Sequence, residues 1–322
     1  MKKSFIFLII ALLVSLSLVG CGSGNAGGGQ TNQLIIATGG TAGTYYPLGG
    51  GIAQVIKDNT KMDASAQVTG ASVENLRLIS KGEVDLAFTQ NDIADYAVKG
   101  TEMFKGTPVK NLKAISAMYN ETIQVVTTAN SGIKSVADLK GKRVSVGAGG
   151  SGVEANAKQV LEIYGLKFED LKAEHLSFGD SSQKIQDGQL DAAFITAGAP
   201  TSAVTELSAT TKLQVLSLEP DKIAALSAKY PYYVEEDIPA NMYSGQTTAI
   251  KTVAVKSMLV ARAELSEDQV YNITKALYEH LDNLVAINKK AESMKLDTAL
   301  EGIKLDLHPG AVTYFKEKGI LK

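Results

Sequence analysis

Gly82-Glu83-Val84-Asp85-Leu86-Ala87-Phe88 returns later in the chain as Gly188-Gln189-Leu190-Asp191-Ala192-Ala193-Phe194, so both stretches read G-x-[V/L]-D-x-A-F. Each copy follows a segment of helical spacing, residues 73–80 and 182–186. Each opens into a polar or small loop, Thr89-Gln90-Asn91-Asp92 in one case and Thr196-Ala197-Gly198 in the other. The echo extends upstream. Leu34-Ile35-Ile36-Ala37 meets a glycine-rich turn at 39–44, then a helix with Leu48, Ile52, Val55 and Ile56 on one face. Val144-Ser145-Val146 meets a glycine-rich turn at 147–152, then a helix from Glu154. One seven-residue match among common residues is weak evidence, but two matched elements in the same order weaken chance as an explanation. Strand, glycine turn and helix repeated in this way predict two similar α/β lobes built on parallel sheet. Ligands gather beyond the carboxyl ends of strands in such sheets, so two facing lobes enclose a cleft.

Two pairs of strand-like runs connect the lobes. Residues 114–119 and 123–128 carry the chain from the first lobe into the second, and residues 252–255 and 257–260 carry it back. The expected boundaries are 34–120 plus 253–322 for the first lobe and 121–252 for the second. A helix opening on Ser266 as its cap, with Val270, Ile273, Ala276 and Leu277 on one face, completes the first lobe.

Ahead of the lobes, Met1-Lys2-Lys3 and an apolar run over 5–19 end at Leu18-Val19-Gly20-Cys21, the spacing of a bacterial lipobox. Residues 1–20 read as a signal peptide and Cys21, the only cysteine of the 322 residues, as the acylated first residue of an extracytoplasmic lipoprotein. The bland alternative is an ordinary secretory signal with an incidental cysteine. Residues 21–33, rich in Gly, Ser and Asn, read as a flexible stalk, because they hold too little apolar surface to offset their ordering entropy. A single cysteine allows no internal disulfide, so stability must come from core, and the 45% hydrophobic content is ordinary for that task. The net charge of −2 argues against nucleic acid as a partner.

The turn at 39–44 offers backbone N–H groups at a helix start, two threonine hydroxyls and then Tyr45-Tyr46, a combination suited to an anion covered by aromatic rings. Gly147, Gly149 and Gly152 match the G-x-G-x-x-G dinucleotide pattern, with Glu169 and Asp170 downstream. A lone match is weak, and the other lobe has an equivalent turn, so this one reads as a second anion-binding turn. Ser151 is a hydroxyl donor there. Glu154 is either an acceptor for a ligand ammonium or compensation for the helix dipole. His175, His280 and His308 are scattered, and neither a metal-spaced cluster nor a G-x-S-x-G elbow occurs. No catalytic residue, metal or cofactor is expected. His308-Pro309 reads as a structural helix entry, and Arg77 and Arg143 as solvated structural residues.

Five blocks together resemble the TAXI family of TRAP-transporter solute receptors: ATGGTAGTYYPLGGGIAQVI at 37–56, SVENLRLISKGEVDLAFTQND at 72–92, DLKGKRVSVGAGGSGVEANA at 138–157, AGAPT at 197–201 and LHPGAVTYFKEKG at 307–319. The first is the most specific. The resemblance implies a type II periplasmic-binding-protein fold. Such a receptor closes on glutamate, glutamine or a related carboxylate and delivers it to TRAP permease subunits, with no nucleic-acid partner. Residue by residue, it implies ligand contacts at Gly40, Thr41, Gly43, Thr44 and Tyr45, at Gln90 and Asp92, at Gly150, Ser151 and Gly152, and at Thr196, Ala197 and Gly198. These loops lack the carboxylate-pairing arginine known in other TRAP receptors. A secreted enzyme and a surface lipoprotein without transport role are the alternatives.

Cys21→Ser is expected to abolish incorporation of a fatty-acid label and to move the protein from the membrane fraction to the soluble one. Label retained by the variant contradicts the anchor.

Overall fold

The computed structural model describes residues 33–322. The signal peptide, the Cys21 anchor and all but the last residue of the expected stalk lie outside the described residues. That last residue, Gln33, is not stalk: it opens the first strand and pairs with Asp63.

The first half begins with β1 (Gln33–Ala37), α1 (Tyr45–Asn59), β2 (Asp63–Gln67), α2 (Ser72–Lys81), β3 (Leu86–Gln90) and α3 (Asn91–Lys99). The second repeats the pattern with β5 (Arg143–Ser145), α4 (Gly152–Ile163), β6 (Lys172–Glu174), α5 (Phe178–Gln186), β7 (Ala192–Ala197) and α6 (Ser202–Thr210). Between them runs β4 (Leu112–Thr128). β8 (Leu213–Leu216), α7 (Pro220–Lys229) and β9 (Val234–Ile238) lead to the return strand β10 (Ile250–Arg262), followed by α8 (Glu267–Glu279), α9 (Leu281–Ile287) and α10 (Pro309–Glu317).

All ten strands join one sheet in the order β2-β1-β3-β10-β4-β7-β5-β6, with β8 added to β4 and β9 to β10. The outer triplets β2-β1-β3 and β7-β5-β6 are parallel, as the strand–turn–helix repeat requires, while β4 and β10 run antiparallel to each other and to their neighbours. The paired runs expected as separate connectors are each one continuous strand, 17 residues in β4 and 13 in β10. Both cross from one half to the other. Ile115, Met118 and Tyr119 of β4 pack in the first core, Ile123 and Val125 in the second. In β10, Val253 and Val255 belong to the second core and Leu259 to the first. The register between the two strands shifts at the crossing, between Lys256 and Met258, where β4 carries one extra residue.

The repeated motif has a physical meaning. Gly82 and Gly188 both take positive φ, 71° and 69°, which ends each preceding helix at a cost that glycine alone avoids. The aspartate three residues later pins the strand start. Asp85 accepts from the Ile35 amide at 2.8 Å and from Arg262 Nε at 2.8 Å. Asp191 accepts from the Arg143 amide at 2.8 Å and from its guanidinium at 2.6 Å. Arg143 is therefore committed to a structural carboxylate. His308 is likewise structural: its Nδ1 accepts from Gly310 N to cap α10, and its Nε2 meets the Leu265 carbonyl at 3.0 Å.

Helices α8 and α10 approach so closely that a Cβ on Gly310 would lie 2.2 Å from the Glu267 carbonyl oxygen, a backbone atom that cannot give way. Gly50, exposed on α1, has open space around its missing Cβ. We expect Gly310→Ala to destabilise the fold by more than about 2 kcal/mol in chemical denaturation, and Gly50→Ala to stabilise it by about 0.5–1 kcal/mol. Equal midpoints for the two variants contradict this packing.

Candidate functional site

The carboxyl ends of the parallel strands in both halves face one cavity of about 80 Å³ at the seam. Four helix N-termini meet there. Thr44 and Tyr45 open α1, Ala71 and Ser72 open α2, Ser151 to Val153 open α4, and Ser177 and Phe178 open α5, all of them lining residues. First-turn amides have no partner within their own helix, and each helix dipole places about half a positive charge at this end. No lysine, arginine or histidine is among the lining residues. Any anion bound here is held by amides and hydroxyls.

The halves touch across the cavity. Glu74 N donates to the Gly150 carbonyl at 3.1 Å and Ala203 N to the Ala42 carbonyl at 3.3 Å. The Thr44 hydroxyl reaches the Gly198 carbonyl at 3.4 Å. A matched device supports the two facing loops: Gly70 N donates to Glu74 at 2.7 Å, and Gly150 N donates to Glu154 at 2.8 Å.

Of the residues that the sequence nominates, Gly40, Gly43, Thr44, Tyr45, Gln90, Ser151, Gly152, Thr196 and Ala197 line the cavity. Thr41, Gly150, Glu154, Gly198 and Asp92 do not. The Glu154 carboxylate is turned to Gly150 N and to His175 Nδ1 at 3.3 Å, so it serves its own turn. Asp92 is fully buried to one side of the cavity, where Asn156 of α4 donates to it at 3.2 Å and the Tyr233 hydroxyl shares that amide at 3.0 Å. Tyr45 lines the cavity with one face of its ring stacked on Phe88, centroids 4.9 Å apart. Its hydroxyl is buried and unpartnered.

Sequence reasoning missed the floor of the site. Glu121, 2% exposed, lines the cavity from the crossing point of β4, and its Oε2 accepts from Gln90 Nε2 at 3.0 Å. Its Oε1, the Gln90 Oε1 and the Thr196 hydroxyl are buried without hydrogen-bond partners. The missed wall is Leu176, Ser177 and Phe178, with Ser72 opposite. A lone glutamate within an apolar strand run was the available signal, since such a residue must face either solvent or a site.

With this geometry in place, a comparison of families gives a match to the model of the NMT1-like family over residues 36–319. The chain belongs to the NMT1-like family. Among relatives, the chain is similar to the arginine-binding extracellular protein ArtP of Bacillus subtilis (strain 168), 26% identical over 204 residues that cover 60% of this chain and 72% of that protein. Among solved structures, PhnD1 from Prochlorococcus marinus (MIT 9301) in complex with methylphosphonate superposes with a TM-score of 0.56 at 10% identity, covering 90% of this chain and 97% of the other. The alkanesulfonate-binding protein SsuA from Xanthomonas axonopodis pv. citri, bound to MOPS, gives 0.50 at 15% identity, covering 83% and 85%. These likenesses establish the fold, the mixed α/β architecture of periplasmic solute-binding proteins. As an NMT1-like protein the chain is a solute-binding protein of the extracytoplasmic type rather than an enzyme. Among the described residues no helix is long and apolar enough to cross a membrane.

Two carboxyls near the seam are electrostatically costly. Burial pushes Glu121 up from 4.5 to about 7, and hydrogen bonds from neighbouring groups only partly oppose it. Burial likewise pushes Asp92 up from 3.8 to about 7. Both groups hold protons in the folded state that the unfolded chain has already released, so their contribution to stability is full at acid pH and is lost as pH rises from about 4 to about 7. Glu121→Gln and Asp92→Asn are each expected to remove that fall from pH-dependent denaturation, by about 3–4 kcal/mol at most. A difference between wild type and each variant that does not change over this interval contradicts the burial of these groups.

Proposed function

We propose that this NMT1-like protein is the extracytoplasmic receptor of a TRAP-type secondary transporter, tethered by acylated Cys21, and that it captures a small carboxylate or amino acid of the glutamate or glutamine kind. The observation that carries the ligand reading is the convergence of four helix N-termini on a cavity without a cationic side chain. A carboxylate fits such a frame, since amide donors and helix dipoles favour negative charge and demand no paired cation. The TAXI-like blocks, the glycine turn at 37–56 above all, support the transporter class. The printed name of ArtP, an arginine-binding protein, supports an amino acid among the candidates.

In this reading the open protein binds solute on one half, and contacts from the other half favour closure. The closed surface is then what the permease recognises. Glu74 N to Gly150 O and Thr44 to Gly198 O are the bonds that closure makes. The ligand completes them by giving the four helix ends a common counter-charge.

Gly152 of the second half lies against Gln90 of the first, and a Cβ there would meet the Gln90 Oε1 at 2.0 Å. Gly152→Val is therefore expected to prop the halves apart. Small carboxylates and amino acids should raise the wild-type melting midpoint in a concentration-dependent way. The variant should keep its ligand-free midpoint within a few degrees, lose affinity by at least about tenfold, and show a larger radius of gyration in solution scattering with ligand. Failure of every compound in a broad carboxylate panel to shift the wild type sinks the proposal.

A further inference from the structure

The cavity has an acidic floor as well as a positively polarised rim. Glu121 is the only carboxylate among the lining residues. One of its oxygens is engaged by the Gln90 amide, and the other, like the Gln90 carbonyl oxygen, is buried with no hydrogen-bond partner. Two oxygens without partners thus belong to lining residues that are 2% and 1% exposed. Gln90 presents its donor to Glu121, while its own carbonyl oxygen packs against Gly152, on which a Cβ would meet it at 2.0 Å. A ligand carrying only negative charge satisfies the rim, offers these oxygens no N–H partner and opposes ionisation of Glu121. A ligand with N–H donors satisfies both.

We infer that Glu121, held by Gln90, is the acceptor for an ammonium or other cationic nitrogen of the ligand, so that the site selects compounds bearing an amine and a carboxylate over carboxylates alone. This rests on the receptor reading above and sharpens its substrate class. It also moves the ammonium-binding role from Glu154, which serves its own turn, to a residue in the middle of a strand. The crossing of β4 from one half to the other explains the location. Glu121 pairs with Val255 of β10 beside the register shift, and its side chain emerges at the seam between the two cores. The surroundings of the carboxyl are mostly neutral. Tyr45 on α1 and Ser257 on β10 approach it without reaching bonding geometry, and Tyr119 on its own strand adds a phenol. Asp92 at the start of α3 contributes a repelling charge, and Lys290 beyond the cavity an attracting one. Burial holds Glu121 near pH 7, so the neighbourhood leaves it poised to ionise against a cation.

The test uses the proteinogenic L-amino acids and the matching acids without the amine, glutarate for L-glutamate among them, with the full mature protein. Titration calorimetry in buffers of different ionisation enthalpy, at a pH of about 6.5, reads proton exchange directly. An ammonium paired with Glu121 draws the carboxyl into its ionised form, so binding releases up to one proton. A carboxylate resting on a protonated Glu121 does the opposite and takes up the remaining fraction of a proton, about a quarter at this pH. We expect at least one amino acid to bind with proton release, its des-amino counterpart to bind at least about tenfold more weakly, and Glu121→Gln to lose about 10- to 100-fold in affinity for the amino acid. The proton count comes from the wild type and stands whether or not the variant folds. Equal or tighter binding of the des-amino acids, proton uptake, or unchanged affinity in a folded Glu121→Gln overturns the assignment while leaving a carboxylate receptor intact. If neither class of compound binds, the receptor reading fails and the assignment with it.

Discussion

Two long antiparallel strands, β4 and β10, belong to both halves of the molecule at once, and the rest of the structure depends on that sharing. Each carries side chains of the first core at one end and of the second core at the other. The parallel triplets on either side are related in order and direction, so the carboxyl ends of both sets point toward the same seam. Had each half closed on its own strands, the two sets of loops would have no fixed relation. With β4 and β10 in common, the loops are placed opposite one another by the sheet itself, and the β4–β10 register shifts twice near the crossing, between Lys256 and Met258 and between Leu259 and Val260.

The seam combines two kinds of electrostatic hardware, helix N-termini and a buried carboxyl. Helix ends supply diffuse positive potential from backbone groups, which carry no pKa and cannot be titrated away. Glu121 supplies a single point of acidity that is expensive to ionise in isolation. Neither is costly in the same way: the helix ends are by-products of the strand–turn–helix repeat, whereas a buried carboxyl lowers stability at neutral pH. A residue that weakens the fold at the centre of its cleft is explained by what it touches, not by packing.

The sequence revealed the repeat, because G-x-[V/L]-D-x-A-F and the two glycine turns report local requirements: a positive φ at Gly82 and Gly188, and an aspartate that ties strand starts together. Loops at the ends of those strands were legible for the same reason, and Gln90, Ser151 and Thr196 follow from them. Asp92 and Glu154 show where that reading stops. Each is in the right loop, but a helix turns Asp92 toward Asn156 and a tight turn draws Glu154 to Gly150 N, orientations that one-dimensional spacing does not encode. Glu121 lay further from view, since a lone glutamate in a strand run marks it only weakly and its place in the site depends on two strands crossing between cores, a long-range property. The apolar alternation around it reads as connector.

The two pinning aspartates differ in one respect. Asp191 takes its arginine from 48 residues away, whereas Asp85 must wait for Arg262, 177 residues along the chain. Closing the longer loop costs about 1 kcal/mol more in chain entropy. The disparity also bears on order of assembly: the second half has nearly all its strands by residue 216, while the first has a gap in its sheet until 257–262 arrive. The half that starts the chain is thus the last to be finished, and the cleft comes into being only when nearly the whole polypeptide is present.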